Sequence, residues 1–311
     1  MELIRGLHNL RPHHRGCALT IGNFDGVHRG HRAMLARLKE RASALDLPAV
    51  VMLFEPQPSE YFAPERAPAR LMRLREKLEI LARLGLERVV CVRFDAQFAA
   101  LSAEDFVQRV LLDTLGARYV LVGDDFRYGA RRGGDFHTLT SAGREHGFEV
   151  ARMGSFLLEG ERVSSTAVRE ALMRGDIGKA ARFLGAPYYV CGRVAHGDKR
   201  GRSIGFPTAN IHLHRRNVPL DGVFVVEMRG VAEHPWPGVA NVGVRPTVDG
   251  TRALLEVHLF DFAGDIYGRH VEIEFLHKLR PEQRFDSLEA LKQQIALDAR
   301  AARAYFAASG R

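Results

Sequence analysis

The sequence predicts two halves of different class. The N-terminal half is α/β, a doubly wound parallel sheet; the C-terminal half is β, a six-stranded antiparallel barrel with a terminal helix. Three observations predict this. Up to about residue 184, short apolar runs alternate with stretches of helical periodicity. Beyond it, six short runs alternate apolar and polar residues between Gly, Pro and Asp turns. Between the two patterns, Gly185-Ala186-Pro187 stops a helix, which places the boundary at 184/185 and the domains at 1–184 and 185–311.

The first strand is the apolar run Ala18–Ile21, and a helix follows from Arg29 to Leu45, with Met34, Leu35, Leu38, Ala42 and Leu45 at helical spacing. The turn between them, Thr20–His31, has glycines at 22, 26 and 30. Small residues there let backbone approach a ligand, and the helix start offers free N–H groups and a partial positive charge. His28 and His31 are three apart and share one face of the first helical turn. Two imidazoles over a helix N-terminus suit a phosphoryl group under attack. A second strand, Ala49–Phe54, is ended by Glu55-Pro56-Gln57-Pro58. A helix spans about Leu71–Leu84, stopped by Gly85, and a third strand spans Arg88–Phe94. Ser102-Ala103-Glu104-Asp105 is a capping box opening a helix that ends near Gly116. Arg118–Gly123 and Phe148–Arg152 are the fourth and fifth strands. Ligands of such a sheet sit beyond the carboxyl ends of its strands, where the opening turn lies.

Two more stretches lie at strand ends. Asp124-Asp125-Phe126-Arg127-Tyr128-Gly129, continuing to Asp135, mixes aromatic, basic and glycine residues able to stack a planar ring and meet a phosphate. Val163-Ser164-Ser165-Thr166-Ala167-Val168-Arg169 opens a helix. There Ser165 or Thr166 is an N-cap, and the same hydroxyls with Arg169 make a second anion site.

The barrel strands are Tyr188–Ala195, Thr208–Leu213, Gly222–Arg229, Gly238–Val244, Ala253–Phe262 and His270–Lys278, with helical pattern again over Leu288–Phe306. A basic glycine-rich loop, His196–Asn210, joins the first two. Thr208 and Asn210 are two apart on a strand and face one way; their neutral oxygens suit Mg²⁺ beside a nucleotide. Leu255, Val257 and Leu259 form one apolar face, so Glu256 lies on the other with Leu254, His258 and Phe260. At a barrel mouth such a carboxylate can take a proton from an attacking hydroxyl.

The composition is that of a soluble globular protein, 46% hydrophobic and 26% charged. No apolar run approaches the ~20 residues of a membrane span. Met1–Arg5 carries no apolar signal core, and Cys17, Cys91 and Cys191 lack metal spacing, so the cytoplasm is expected. The net charge of +8 is dispersed, which favours small anionic substrates over nucleic acid.

Gly22–His31 resembles the nucleotidylyltransferase signature in the form carried by bacterial bifunctional FAD synthetases. The 123–129 loop resembles their G-x-D-F-R-F-G segment, with Tyr128 in place of Phe, and Val163–Arg169 resembles their I-S-S-T-x-x-R element. The second half is similar to riboflavin kinases in its G-R-x-x-G-x-P-T-A-N loop and in Gly222-Val223-Phe224, where Tyr is commoner at the last position. The similarity extends to Val239–Gly243 and to the Glu256 strand with Asp265-Ile266-Tyr267-Gly268.

The resemblance implies His28, His31 and Arg169 as catalytic for adenylyl transfer. Gly22, Asn23, Phe24, Asp25, Gly30, Ser164, Ser165 and Thr166 would bind the nucleotide, and Asp124, Phe126, Arg127, Tyr128 and Gly129 the flavin. In the second half it implies Glu256 as base, Thr208 and Asn210 at Mg²⁺, and Gly197, Arg202, Gly205 and Pro207 at the nucleotide. The implied activity is phosphorylation of riboflavin by ATP to FMN, then adenylyl transfer from ATP to FMN giving FAD and pyrophosphate. Partners are then small molecules, not nucleic acid or membrane, with a homo-oligomer left open. The rivals are a riboflavin kinase whose N-terminal domain is inactive, adenylyl transfer to a different acceptor, and a non-catalytic nucleic-acid-binding protein.

Overall fold

A computed structural model of the chain describes residues 1–196, 205–213, 215, 217–247 and 250–310. By its contacts the chain divides into two units, Met1–Pro68 with Arg73–Val163, and Ala69–Met72 with Ser164–Arg311.

The first unit is built on six strands: β1 (Glu2–Arg5), β2 (Cys17–Ile21), β3 (Ala49–Glu55), β4 (Arg88–Arg93), β5 (Ala117–Gly123) and β6 (Glu149–Met153). They lie in the order β1-β4-β3-β2-β5-β6, every neighbouring pair parallel. Helices α1 (Arg29–Ala44), α2 (Pro58–Phe62), α3 (Leu74–Arg83), α4 (Ala96–Ala99), α5 (Ala103–Asp105) and α6 (Phe136–His146) connect them. Every residue of β2 is buried, which is why its apolar run shows no alternation. After β2 the chain adds β3 and β4 on one side, then crosses back to set β5 on the other side of β2. The crevice at the carboxyl ends of β2 and β5 is therefore the topological switch point of the sheet, where ligands of such folds bind.

Several expectations differ in detail. Edge strand β1 went unpredicted, being four residues with charged ends; it is tied to β4 by Arg88 bonding Glu2 at 3.0 Å. His14 also bonds Glu2 at 2.9 Å and accepts from the Arg11 N–H, so the Glu2–His14 pair is a hydrogen-bonded staple for this edge. The helix expected from Leu71 begins at Leu74, because Leu71 and Met72 are buried as part of the second unit. The helix opened by Ser102 continues from α5 as a wider winding over Phe106–Thr114, with Leu115 N–H bonded to Val110 five residues back. Its buried Phe106, Val110 and Leu115 are spaced by four and five residues, the repeat of that wider turn. The three cysteines are free and buried, and burial pushes the Cys17 thiol up to about 12.

The second unit carries a pair of short helices in contact, α7 (Ser165–Arg174) and α8 (Ile177–Leu184). Before these, a two-strand hairpin, β7 (Leu157–Leu158) and β8 (Glu161–Arg162), closes the first unit. The barrel follows as β9 (Tyr189–Ala195), β10 (Ala209–His212), β11 (Gly222–Arg229), β12 (Trp236–Thr247), β13 (Gly250–Leu259) and β14 (His270–Arg280). Its strands close as β10-β13-β12-β11-β14-β9, all antiparallel, so no edge is left to recruit another chain. The alternation read from the sequence is the burial pattern of β13, where Leu255, Val257 and Leu259 are buried and Leu254, Glu256 and His258 are not. Terminal helix α9 (Leu288–Ser309) lays Ala299, Ala302 and Phe306 on Val223, Val225, Val239 and Phe260. The 69–72 segment is held through its carbonyls: Arg169 Nε donates to Ala69 at 2.6 Å, and Tyr188 and Arg215 donate to Leu71.

Candidate functional site

In the first unit, the turn after β2 holds Phe24, Gly26 and Val27 at φ of 47°, 86° and 39°. Two bulky side chains in the left-handed region are strained by about 1–2 kcal/mol each and persist only where the surroundings dictate them. Here Phe24, Asp25 and Val27 are all buried. His28 is the N-cap of α1: its Nδ1 accepts from the His31 N–H at 3.3 Å. A neutral His28 ring consequently carries its proton on Nε2. The two imidazoles stack, centroids 3.6 Å apart, and Phe24 packs against His31 at 4.8 Å. A Cβ on Gly30 would stand 3.2 Å from His28 Cε1 and 3.4 Å from Phe156 Cβ, so this glycine makes room for the ring.

Burial first, then the charges of His28 and Lys77, hold the His31 pKa well below its ordinary 6.5. Among the described residues, Asn23 Oδ1 and His31 Nδ1 are buried with no hydrogen-bond partner. Unsatisfied polar atoms at a switch point are where a bound ligand would bond.

The loop after β5 is anchored tightly. Asp124 accepts from Ser155 Oγ at 2.6 Å and Arg162 at 3.1 Å, and the Ser155 bond leads in holding its carboxyl below the usual range. Asp124 thus ties the loop to the segment carrying β7 and β8. Tyr128 is buried against Phe106 at 5.3 Å, its hydroxyl 3.2 Å from Thr138, and its ring lies over Gly134. Phe126 stacks on Tyr128 at 5.6 Å and is half-exposed, while Arg127 pairs with Asp135 at 3.0 Å. Gly129 passes too close to Ala103 to admit a Cβ.

An aromatic cluster that sequence reasoning missed lies at the ends of β3 and β4. Phe94 meets Phe54, Tyr61, Phe62 and Phe98, all at 5.5–5.7 Å, and Phe62 is 67% exposed. The available signal was an aromatic immediately after, or last but one in, two consecutive strands.

In the second unit, the N-cap of α7 is Ser164, whose Oγ accepts from the Ala167 N–H at 3.1 Å; the cap expected at Ser165 or Thr166 lies one residue earlier. That shift leaves Ser165 and Thr166 on the first turn, with Thr166 exposed. Arg169, one turn on, is half-buried with Nε committed to Ala69.

The barrel carries a cavity of about 700 Å³ lined by Thr208, Asn210, Asn241, Glu256, Arg280 and Asp286 among others. Register explains the gathering. Asn210 and Asn241 are the direct cross-strand neighbours of Glu256, one on each side, so an amide–carboxylate–amide row crosses β10, β13 and β12. His258 Nδ1 lies 2.9 Å from the Pro207 carbonyl, pinning the approach to β10. Gly205 sits at φ 87°, and the expected Gly197 and Arg202 lie outside the described residues. Arg280 and Asp298 also line the cavity, bonded through two nitrogens at 2.8–3.1 Å, with Gln294 on the same carboxylate. Neither was predicted, since eighteen residues separate them in sequence.

The FAD synthetase family model matches residues 10–167 and the riboflavin kinase model residues 184–306. The chain is 55% identical to the bifunctional riboflavin kinase/FMN adenylyltransferase of Escherichia coli K12, covering 98% of both chains. It is 54% identical to that of Pseudomonas fluorescens, covering 99% of both. A crystal structure from Streptococcus pneumoniae, described as a macrolide-efflux protein, matches with TM-score 0.80 and 31% identity over 97% of this chain and 99% of that one. Among the described residues no helix is long and apolar enough to cross a membrane. With both family models matched in order and relatives aligned end to end, the chain belongs to the bifunctional riboflavin kinase/FMN adenylyltransferase family.

Proposed function

We propose that this chain makes FMN from riboflavin in its barrel half and FAD from FMN in its α/β half, with the working boundary at 184/185. The observation that carries the reading is the placement of the Thr20–His31 turn and the 124–129 loop on the adjacent strands β2 and β5, at the switch point of the sheet.

In the α/β half a phosphate oxygen of FMN attacks the α-phosphorus of ATP, and the bond to pyrophosphate breaks as its electron pair leaves with pyrophosphate. The nucleophile belongs to the substrate, so the protein needs only to align and stabilise. Gly22, Asn23, Phe24, Asp25 and Gly30 form the cradle. His28 Nε2–H and the neutral His31 ring face the charge that builds on the phosphoryl oxygens. Ser164, Ser165, Thr166 and Arg169 supply further donors for the triphosphate. Asp124 fixes the flavin loop, with Phe126, Arg127, Tyr128 and Gly129 shaping it.

In the barrel half Glu256 takes the proton of the ribityl 5′-hydroxyl as that oxygen attacks the γ-phosphorus of ATP. Thr208 and Asn210, hard neutral oxygens beside the Glu256 carboxylate in one cavity, would hold Mg²⁺, whose chemistry there is neutralisation of phosphate charge. Gly205 and Pro207, with Gly197 and Arg202, serve the nucleotide loop. The partners are small molecules, and the compartment is the cytoplasm.

The test is chromatography of purified protein incubated with riboflavin, ATP and Mg²⁺. FMN followed by FAD is expected. FMN alone, with no FAD from added FMN, would leave a riboflavin kinase with a silent first half. Neither product from folded protein would remove the reading.

A further inference from the structure

A charge that the proposed chemistry does not use lies directly behind its phosphate-facing turn. Lys77, on α3, is 2% exposed, and its Nζ donates to the backbone carbonyl of Asn23, fifty-four residues earlier in the chain. Its neighbour Glu76 is equally buried and caps the same helix by accepting from the Arg73 N–H at 2.7 Å. Asp25, inside the turn, is also buried.

Burying an ammonium costs several kcal/mol even with good partners. Asn23 is the residue next to Phe24, where the left-handed conformations begin, and its own Oδ1 is one of the two unsatisfied atoms of the site. A cation fixed on the Asn23 carbonyl therefore holds the backbone path at the start of the strained turn. Its charge also acts on the His31 ring, disfavouring a proton there.

We infer that Lys77 is a positioning residue for adenylyl transfer: its buried ammonium fixes the Asn23 carbonyl, and through it the geometry of the turn that carries His28 and His31. This rests on the assignment of that turn to FAD formation. A positioning role appears in kcat, because the ground state still binds while the aligned transition state is lost.

The test compares wild type, Lys77→Met and Lys77→Gln for FAD formation from added FMN and ATP, with FMN formation from riboflavin measured on the same samples. Lys77→Met is expected to lower kcat for FAD formation by roughly 100-fold, with KM for FMN and ATP within about threefold. Lys77→Gln keeps a donor within reach of Asn23 and is expected to fall between Met and wild type. FMN formation is expected to stay within about twofold of wild type.

A wild-type kcat in the Met variant overturns the inference, as does a loss confined to KM. Loss of the cooperative thermal transition of the first half in both variants also overturns it, since Lys77 is then simply part of the fold. Wild-type protein that forms FMN but no FAD overturns the assignment of the turn itself, and this inference with it.

Discussion

At Gly30 an ordinary stability rule and the geometry of the site give opposite signs. A glycine inside a helix is destabilising relative to alanine by roughly 1 kcal/mol, so Gly30→Ala in the first turn of α1 should, on propensity alone, raise stability. The added Cβ would meet His28 Cε1 at 3.2 Å, Nδ1 at 3.3 Å and Phe156 Cβ at 3.4 Å. The His28 ring is the movable partner, and its Nδ1 bond to the His31 N–H is already long at 3.3 Å. Gly30→Ala is therefore expected to leave the melting temperature unchanged or slightly higher while cutting FAD formation at least tenfold, the order of a misaligned donor. FMN formation measured on the same sample should not change. A variant with full FAD-forming rate would show that the ring need not hold its present position.

Individual helices and strands show what a sequence reading reaches and where it stops. The β13 alternation predicted which face Glu256 takes, because a strand with one buried side has a strict two-residue period. Edge strand β1 has only four residues and no full period to detect. Leu71 and Met72 continue the apolar pattern of α3 but are buried in the other unit, and periodicity carries no record of which core an apolar residue joins. The clamp between β14 and α9 was invisible for a similar reason. Arg280 and Asp298 are ordinary surface-type residues until the fold brings them together, at 18% and 8% side-chain exposure, beside the cavity. Asp298→Ala would leave the Arg280 guanidinium largely buried with its carboxylate gone. We expect a loss of about 3 kcal/mol in the barrel, read by denaturant titration, with FMN formation falling as α9 loosens from the cavity wall. Asp298→Asn, which keeps the Gln294 neighbour and one acceptor, should cost less than the alanine.

For the whole molecule, the two proposed sites fall in separate units with separate cores: the parallel-sheet unit holds His28 and His31 at the start of α1, and the closed barrel holds Glu256 on β13. Substitutions at one site should therefore leave the other working. His28→Ala is expected to lower FAD formation by about 100-fold or more while FMN accumulates from riboflavin. Glu256→Gln should lower FMN formation by about 100-fold or more, yet convert added FMN to FAD at the wild-type rate. Loss of both activities in either variant, with the fold intact by circular dichroism, would break the division of labour. Mixing the two variants adds a sharper test, because each retains the half the other lacks. Their mixture, given riboflavin and ATP, should form FAD only after FMN has built up in solution, with a lag that shortens as either protein is increased. Wild-type chain at the same site concentrations should show the same lag if FMN is released between steps. A shorter lag in the wild type alone would mean that FMN passes between the two halves of one chain before it equilibrates with the solution.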